Sequence, residues 1–130
     1  MPNEATHRSQ AEHNERLARG LILLSPPFTD WAVTACFYAA LHLVDSYFAR
    51  LGSHPSTHGR REREIRNHLP RIEHHYLRLK QYSLDARYQG VQMTPATAFQ
   101  PTFVENLINT DLEAIKNYVR ILLMNVKKYS

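Results

Sequence analysis

Cysteine is almost missing from this chain of 130 residues: Cys36 stands alone, so no intramolecular disulfide can form, and its apolar neighbours Ala35, Phe37 and Ala39 point to a small buried core residue. Glycine is scarce too, at four residues, and no internal repeat or low-complexity tract is found. No segment alternates apolar and polar residues with the period of two that a half-buried strand needs, which excludes a β-sandwich or barrel. No uninterrupted apolar run approaches the ~18 residues that cross a bilayer, and Met1 to Gln10 lacks the basic-then-apolar order of a secretory signal. The expectation is a cytoplasmic protein with no membrane span.

What is present suffices for one core. Hydrophobic residues make up 43% and charged residues 22%, close to globular averages, and the length suits a single domain over 1–130. Four segments carry helical periodicity. Residues Ala5 to Leu24 place Leu17, Leu21 and Leu24 on one stripe, and Ser25, Pro26 and Pro27 end it. Thr29 reads as the cap of a second helix, with Val33, Phe37, Ala40, Leu41, Val44, Phe48 and Leu51 forming a broad buried face up to Gly52.

A Ser-His-Pro-Ser loop precedes Thr57, which caps a third helix to about His68. Beyond Pro70, residues Arg71 to Tyr88 align Ile72, Tyr76, Leu77 and Leu84 loosely, and Gly90 closes the segment. Residues Val91 to Thr102 read as an exposed connection containing Pro95 and Pro101. The last helix, Phe103 to Lys128, carries Phe103, Leu107, Leu112, Ile115, Val119, Leu122 and Val126 on one stripe. The predicted architecture is all-α, an up-and-down bundle of four to five helices.

Charge is placed unevenly. The net charge is +4, but residues 50–90 hold nine Lys/Arg against four Asp/Glu and five of the eight histidines. Arg60, Arg61, Arg63, Arg66, Arg71 and Arg78 form a basic stretch that reads either as a solvated helix face or as a contact for phosphate, with Tyr76, Tyr82 and Tyr88 near enough in sequence to stack on bases. Tyr38, His42 and Asp45, at i, i+4 and i+7, share one side of the second helix, where Asp45 could orient His42 and raise its pKa. The histidine pairs His54/His58 and His74/His75 lack the spacing of a zinc site, so no metal or cofactor is expected.

Asp30-Trp31-Ala32, then Phe37-Tyr38-Ala39-Ala40-Leu41-His42, a histidine-bearing loop and Asp85-Ala86-Arg87-Tyr88, taken in that order, resemble the HEPN superfamily over most of the chain. Tyr38, His42, Arg87 and Tyr88 occupy the places of that family's aromatic-Tyr-Ala-x-φ-His run and its later Arg-Tyr pair. The resemblance implies a helical bundle that dimerises, contacts with RNA or a nucleotide, and an association with toxin-antitoxin or defence systems, including a nucleotidyltransferase-like antitoxin partner.

It also implies a metal-independent endoribonuclease in those members with an Arg-x(4–6)-His motif. Arg63 and His68 match the shortest form and Arg61 with His68 the longest. In that mechanism His68 would move the proton of the attacking 2′-hydroxyl and Arg63 would stabilise charge on phosphorus. This chain departs from the pattern where Glu64 follows Arg63, since active members place a polar, often amide-bearing residue there. Residues five apart on a regular helix also diverge by about 140°. Three readings follow: a binding module that uses Tyr38, His42, Asp45, Arg60, Arg61, Arg66, Arg87 and Tyr88 toward RNA or a nucleotide; a ribonuclease; and a non-catalytic protein-interaction bundle.

Overall fold

The computed structural model describes residues 2–89 and 99–129, and the side-chain surroundings of residues 2–87 and 99–125. The expected Gly90 break and most of the connection from Val91 lie outside the described residues, as do the side chains of Tyr88, Val126, Lys127 and Lys128. The described residues are helical, without a strand, as the absence of period-two alternation requires.

Helix α1 spans Glu4–Ile22 and begins one residue before the expected start, because the Asn3 side chain accepts a hydrogen bond from the Thr6 N–H at 2.9 Å. Helix α2 spans Thr29–Arg50, with Phe28 rather than Thr29 in the cap position and Asp30 in the first turn. Its end is closed by Gly52 at φ 80°, where the Ser53 N–H reaches back to the Phe48 carbonyl and the Gly52 N–H to Ala49. Helix α3, His58–His68, is capped as expected by Thr57, whose hydroxyl accepts from the Arg60 N–H at 3.1 Å. A single 3₁₀ turn, Pro70–Ile72, leads into α4, Glu73–Leu84, which continues as a π-helical turn, Asp85–Gln89. Helix α5 runs as Pro101–Asn106, a π-helical segment Leu107–Leu112, and Glu113–Tyr129.

Cross-helix pairs fix the topology. Glu4 meets Arg50 and His7 meets His42, so α1 and α2 are antiparallel; Glu15 meets Lys116 and Arg19 meets Asn109, so α1 and α5 are antiparallel as well. His75 meets Asp111 while Tyr82 meets Phe103, which makes α4 antiparallel to α5. The four long helices therefore alternate in direction, with α3 inserted between α2 and α4.

Helix α2 is the core helix. Val33, Phe37, Ala40, Leu41, Val44 and Phe48 are buried as their spacing predicts, whereas Leu51, expected on the same face, is 48% exposed just beyond the helix end. Ile65 of α3, Leu69 after it, Tyr76 and Leu79 of α4 and Leu107, Leu112, Ile115 and Val119 of α5 complete the core. By length and composition α2 could cross a bilayer, but 78% of its most apolar window is buried inside the bundle. At ~1.5–3 kcal/mol for each large apolar side chain removed from water, this burial dominates the fold's stability. Cys36 is wholly buried, and burial raises its thiol far above the usual range.

Three expected faces differ from the observed ones. In α1 the fully buried positions are Ala11 and Ala18, whereas Leu17 and Leu24 are half exposed. Small residues let α1 lie close on the alanine-rich surface of α2, which leaves Leu17 and Leu24 turned outward while Leu21 packs partly against the core. In α4 the buried stripe is Ile72, Tyr76, Leu79 and Ser83; Leu77 points out. In α5 the π-helical segment inserts extra residues into the turn and brings Leu107, Ile108, Asp111 and Leu112 all inside, after which Leu123 rather than Leu122 is buried.

Candidate functional site

One side of α2 carries Tyr38, His42 and Asp45, each with a partner from a different element. Tyr38 accepts a hydrogen bond from Nη1 of Arg87 at 3.1 Å, and the guanidinium carbon lies 5.6 Å from the Tyr38 ring centroid. The π turn at the end of α4 carries Arg87 to this place, and its Nε also donates to the Ser83 carbonyl at 3.2 Å. One turn further along α2, His42 Nδ1 meets His7 Nδ1 at 3.0 Å, with ring centroids 5.3 Å apart. Such a contact requires one imidazole to donate and the other to accept, so the pair cannot keep it when both rings are charged.

Asp45, the third member of the row, does not orient His42. Both of its oxygens are taken by Arg61: Nε donates to Oδ1 at 2.8 Å and Nη2 to Oδ2 at 3.1 Å, while Nη2 also donates to the Pro55 carbonyl at 3.0 Å. Both side chains are only 9% exposed. Burial alone would lower the Arg61 pKa, but the hydrogen bonds and charge of Asp45 raise it. The expected rise at His42 is reversed. Burial first and His7 second lower its pKa, against the pull of Asp45. His7 is lowered by burial too, with His54 and Arg61 adding to the effect and Asp45 opposing it. His7 escaped the sequence reading because it belongs to a polar lead-in with no periodic signal.

The Tyr76 ring is fully buried, so it cannot stack on a base. Its hydroxyl makes no hydrogen bond of good geometry, and the Arg61 guanidinium is the cation that acts on it, while burial raises the phenol far above its usual range. Tyr82 packs edge-on against Phe99 and Phe103.

The basic stretch is mostly engaged with carboxylates. Arg60 lies 3.7 Å from Glu64, Arg66 3.1 Å from Glu73 and Arg78 3.3 Å from Asp111, while Lys80 pairs with Glu62. Arg61 is withdrawn into the interior, and Arg71 lies over the Tyr118 ring at 5.9 Å. Arg63 is exposed and makes no hydrogen bond or ion pair with the described residues. His68 is also exposed, its ring 6.5 Å from that of Phe48. Helix α3 is regular across both, so a five-residue offset turns the two side chains apart by about 140° within one copy.

A second acidic centre was not visible in the sequence. Asp111, buried by the π-helical segment, receives His75 Nδ1 at 2.7 Å and Arg78 Nε at 3.3 Å. The His74 and His75 rings lie tilted at 39° with centroids 3.9 Å apart. Among the described residues, no group of three or more His, Cys, Asp or Glu side chains is placed to hold a metal ion.

Beside Tyr38 and His42 the surface opens into a groove of about 580 Å³ between α1 and α2. Its walls are Leu17, Leu21, Leu24, Phe28 and Trp31, and its polar lining is Asn14, Thr34, Tyr38 and His42, with no charged residue among the described residues. Trp31 is 59% exposed and stands on the ridge between this groove and a smaller one reaching Arg87. No family model, curated protein or solved structure matches this chain.

Proposed function

We propose that the chain is a HEPN-like helical docking module, non-catalytic as a single copy, that works in the cytoplasm as a symmetric pair joined through the α1/α2 groove. The observation that carries this reading is the outward leucine and aromatic face. Half-exposed Leu17, Leu24, Phe28 and Trp31 form one continuous patch, and apolar area of that kind is what a protein interface removes from water. An uncharged lining sets no like-charge barrier against a second copy of itself, as a two-fold interface demands. Light scattering coupled to size exclusion is expected to give twice the chain mass for the wild type and a single mass for Leu24→Glu. A monomeric wild type would reject the pairing.

A second reading, binding of RNA or a nucleotide, is favoured by one feature: Arg63 stays exposed without a carboxylate partner among the described residues while its neighbours are paired. The self-neutralised stretch makes this the weaker case, since each phosphate contact needs an available cation. Retention of a labelled RNA that falls steeply with salt and is lost in Arg63→Ala would support it. EDTA-resistant cutting lost in both Arg63→Ala and His68→Ala would establish the ribonuclease instead.

A further inference from the structure

On the opposite side of α1 from the apolar groove lies a second opening of different chemistry. Positions 14, 17, 21 and 24 line the groove, whereas Arg8, Ala11, Glu12 and Glu15 line a cleft of about 240 Å³ between α1 and α5. At ~100° per residue the two sets lie on roughly opposite faces of the helix. The cleft exists because α1 and α5 both pack on α2 and leave a gap between them here. Ala11 supplies too little side chain to fill that gap. Its floor is apolar and firmly placed: Ala11, Leu43, Val119 and Leu123 are each no more than 7% exposed. Ser46 adds no free donor, because its hydroxyl donates to the Leu43 carbonyl at 2.6 Å.

The rim is charged. Toward one end Lys116 is held by Glu15 at 3.0 Å and Glu113 at 3.1 Å, an ion-pair network that bridges α5 to α1. Burial opposes the ionised form of Glu15, but the hydrogen bonds from Lys116 and Arg19 outweigh it and hold the carboxyl below its usual range. That end is self-satisfied. Elsewhere on the rim the two arginines are poorly partnered among the described residues: Arg8 has Glu4 only at 3.9 Å, and Arg120 has the Asn117 amide oxygen at 3.5 Å. Among the side chains that line the cleft, Arg8, Lys116 and Arg120 stand against Glu12 and Glu15, an excess of one positive charge over the apolar floor.

We infer that this cleft binds a small amphipathic monoanion, an alkyl or aryl carboxylate, with the apolar part on Leu43, Val119 and Leu123 and the carboxylate between Arg8 and Arg120. An apolar cavity of ~150 Å³ accommodates a benzene ring, so the larger space here suits a short alkyl chain or substituted ring. Guanidinium groups recognise carboxylates through paired N–H donors, which selects for the anion over an isosteric cation.

The test uses the full ¹⁵N-labelled chain titrated with sodium octanoate and, separately, octylammonium chloride. Octanoate is expected to give saturable shifts at the Leu43, Ser46 and Val119 amides, with octylammonium giving none there. Arg8→Ala and Arg120→Ala should each weaken octanoate by about tenfold or more, as expected for a lost charge-assisted hydrogen bond. Ala11→Leu, which fills the floor, should abolish binding. If that variant unfolds by circular dichroism, the two surface arginine variants decide the matter alone. Equal binding of octylammonium, unchanged affinity in the arginine variants, shifts confined to the Trp31 groove, or no saturation would overturn the assignment.

Discussion

Replacing Arg61 by alanine is expected to be the most damaging single change outside the apolar core. The substitution leaves Asp45 buried at 9% exposure without the two hydrogen bonds that satisfy its carboxylate, and it also frees the Pro55 carbonyl. Removing one member of a buried ion pair costs about 3–5 kcal/mol, because the remaining charge stays desolvated. With an unfolding entropy of ~2.1 cal/mol/K per residue, a chain of this length loses roughly 10–20 °C in Tm. The assay is thermal denaturation followed by circular dichroism at pH 7, with Arg60→Ala as the control. Arg60 is 53% exposed and 3.7 Å from Glu64, so its loss should cost no more than ~1 kcal/mol. A double variant, Asp45→Leu with Arg61→Met, should recover much of the loss by removing the stranded charge along with its partner. The reasoning fails if Arg61→Ala melts no lower than Arg60→Ala.

Three further outcomes follow from the same geometry. His7 and His42 have pKa values lowered below the usual ~6.5, so the unfolded chain binds more protons than the folded one between the lowered values and 6.5. Their contribution is fully present above about pH 6.5 and is lost as pH falls through that window; Tm measured from pH 7.5 down to 5 should drop, and less steeply in His42→Gln. Thr57→Ala removes the side-chain cap of α3 and should cost ~1 kcal/mol in urea denaturation. Cys36, buried and with its thiol pKa raised, should react with a thiol reagent only in denaturant, and rapid labelling of the native chain would contradict its placement.

How far the sequence could be read depended on the type of signal. The apolar face of α2 was legible because its residues repeat at three and four from Val33 to Phe48, about four turns, and Thr57 was legible because a cap is a local device. Leu17 and Leu24 turn outward for a physical reason: periodicity identifies an apolar stripe but not which neighbour covers it, and here Ala11 and Ala18 take the inner side while Leu21 packs only partly against the core. The π-helical segment breaks the 3.6-residue rule on which stripe counting rests, so the burial of Asp111 could not be foreseen. Tyr38, His42 and Asp45 share one side of α2 as their spacing required. Their partners His7, Arg61 and Arg87 come from 16 to 49 residues away, and such pairings are set by tertiary packing that a single sequence does not encode locally.

Sedimentation equilibrium of the wild type against Trp31→Glu tests the central claim, that the outward α1/α2 face joins two copies. An aromatic side chain offers ~150–250 Å² of surface, so at 59% exposure Trp31 contributes on the order of 2–4 kcal/mol per copy when covered. The expected result is a dimer whose Kd rises at least about 100-fold in Trp31→Glu while Ile121→Glu, 52% exposed at the wild-type residue on α5, leaves it within a few-fold. A wild type that remains monomeric, or a dimer weakened equally by both substitutions, would contradict the account.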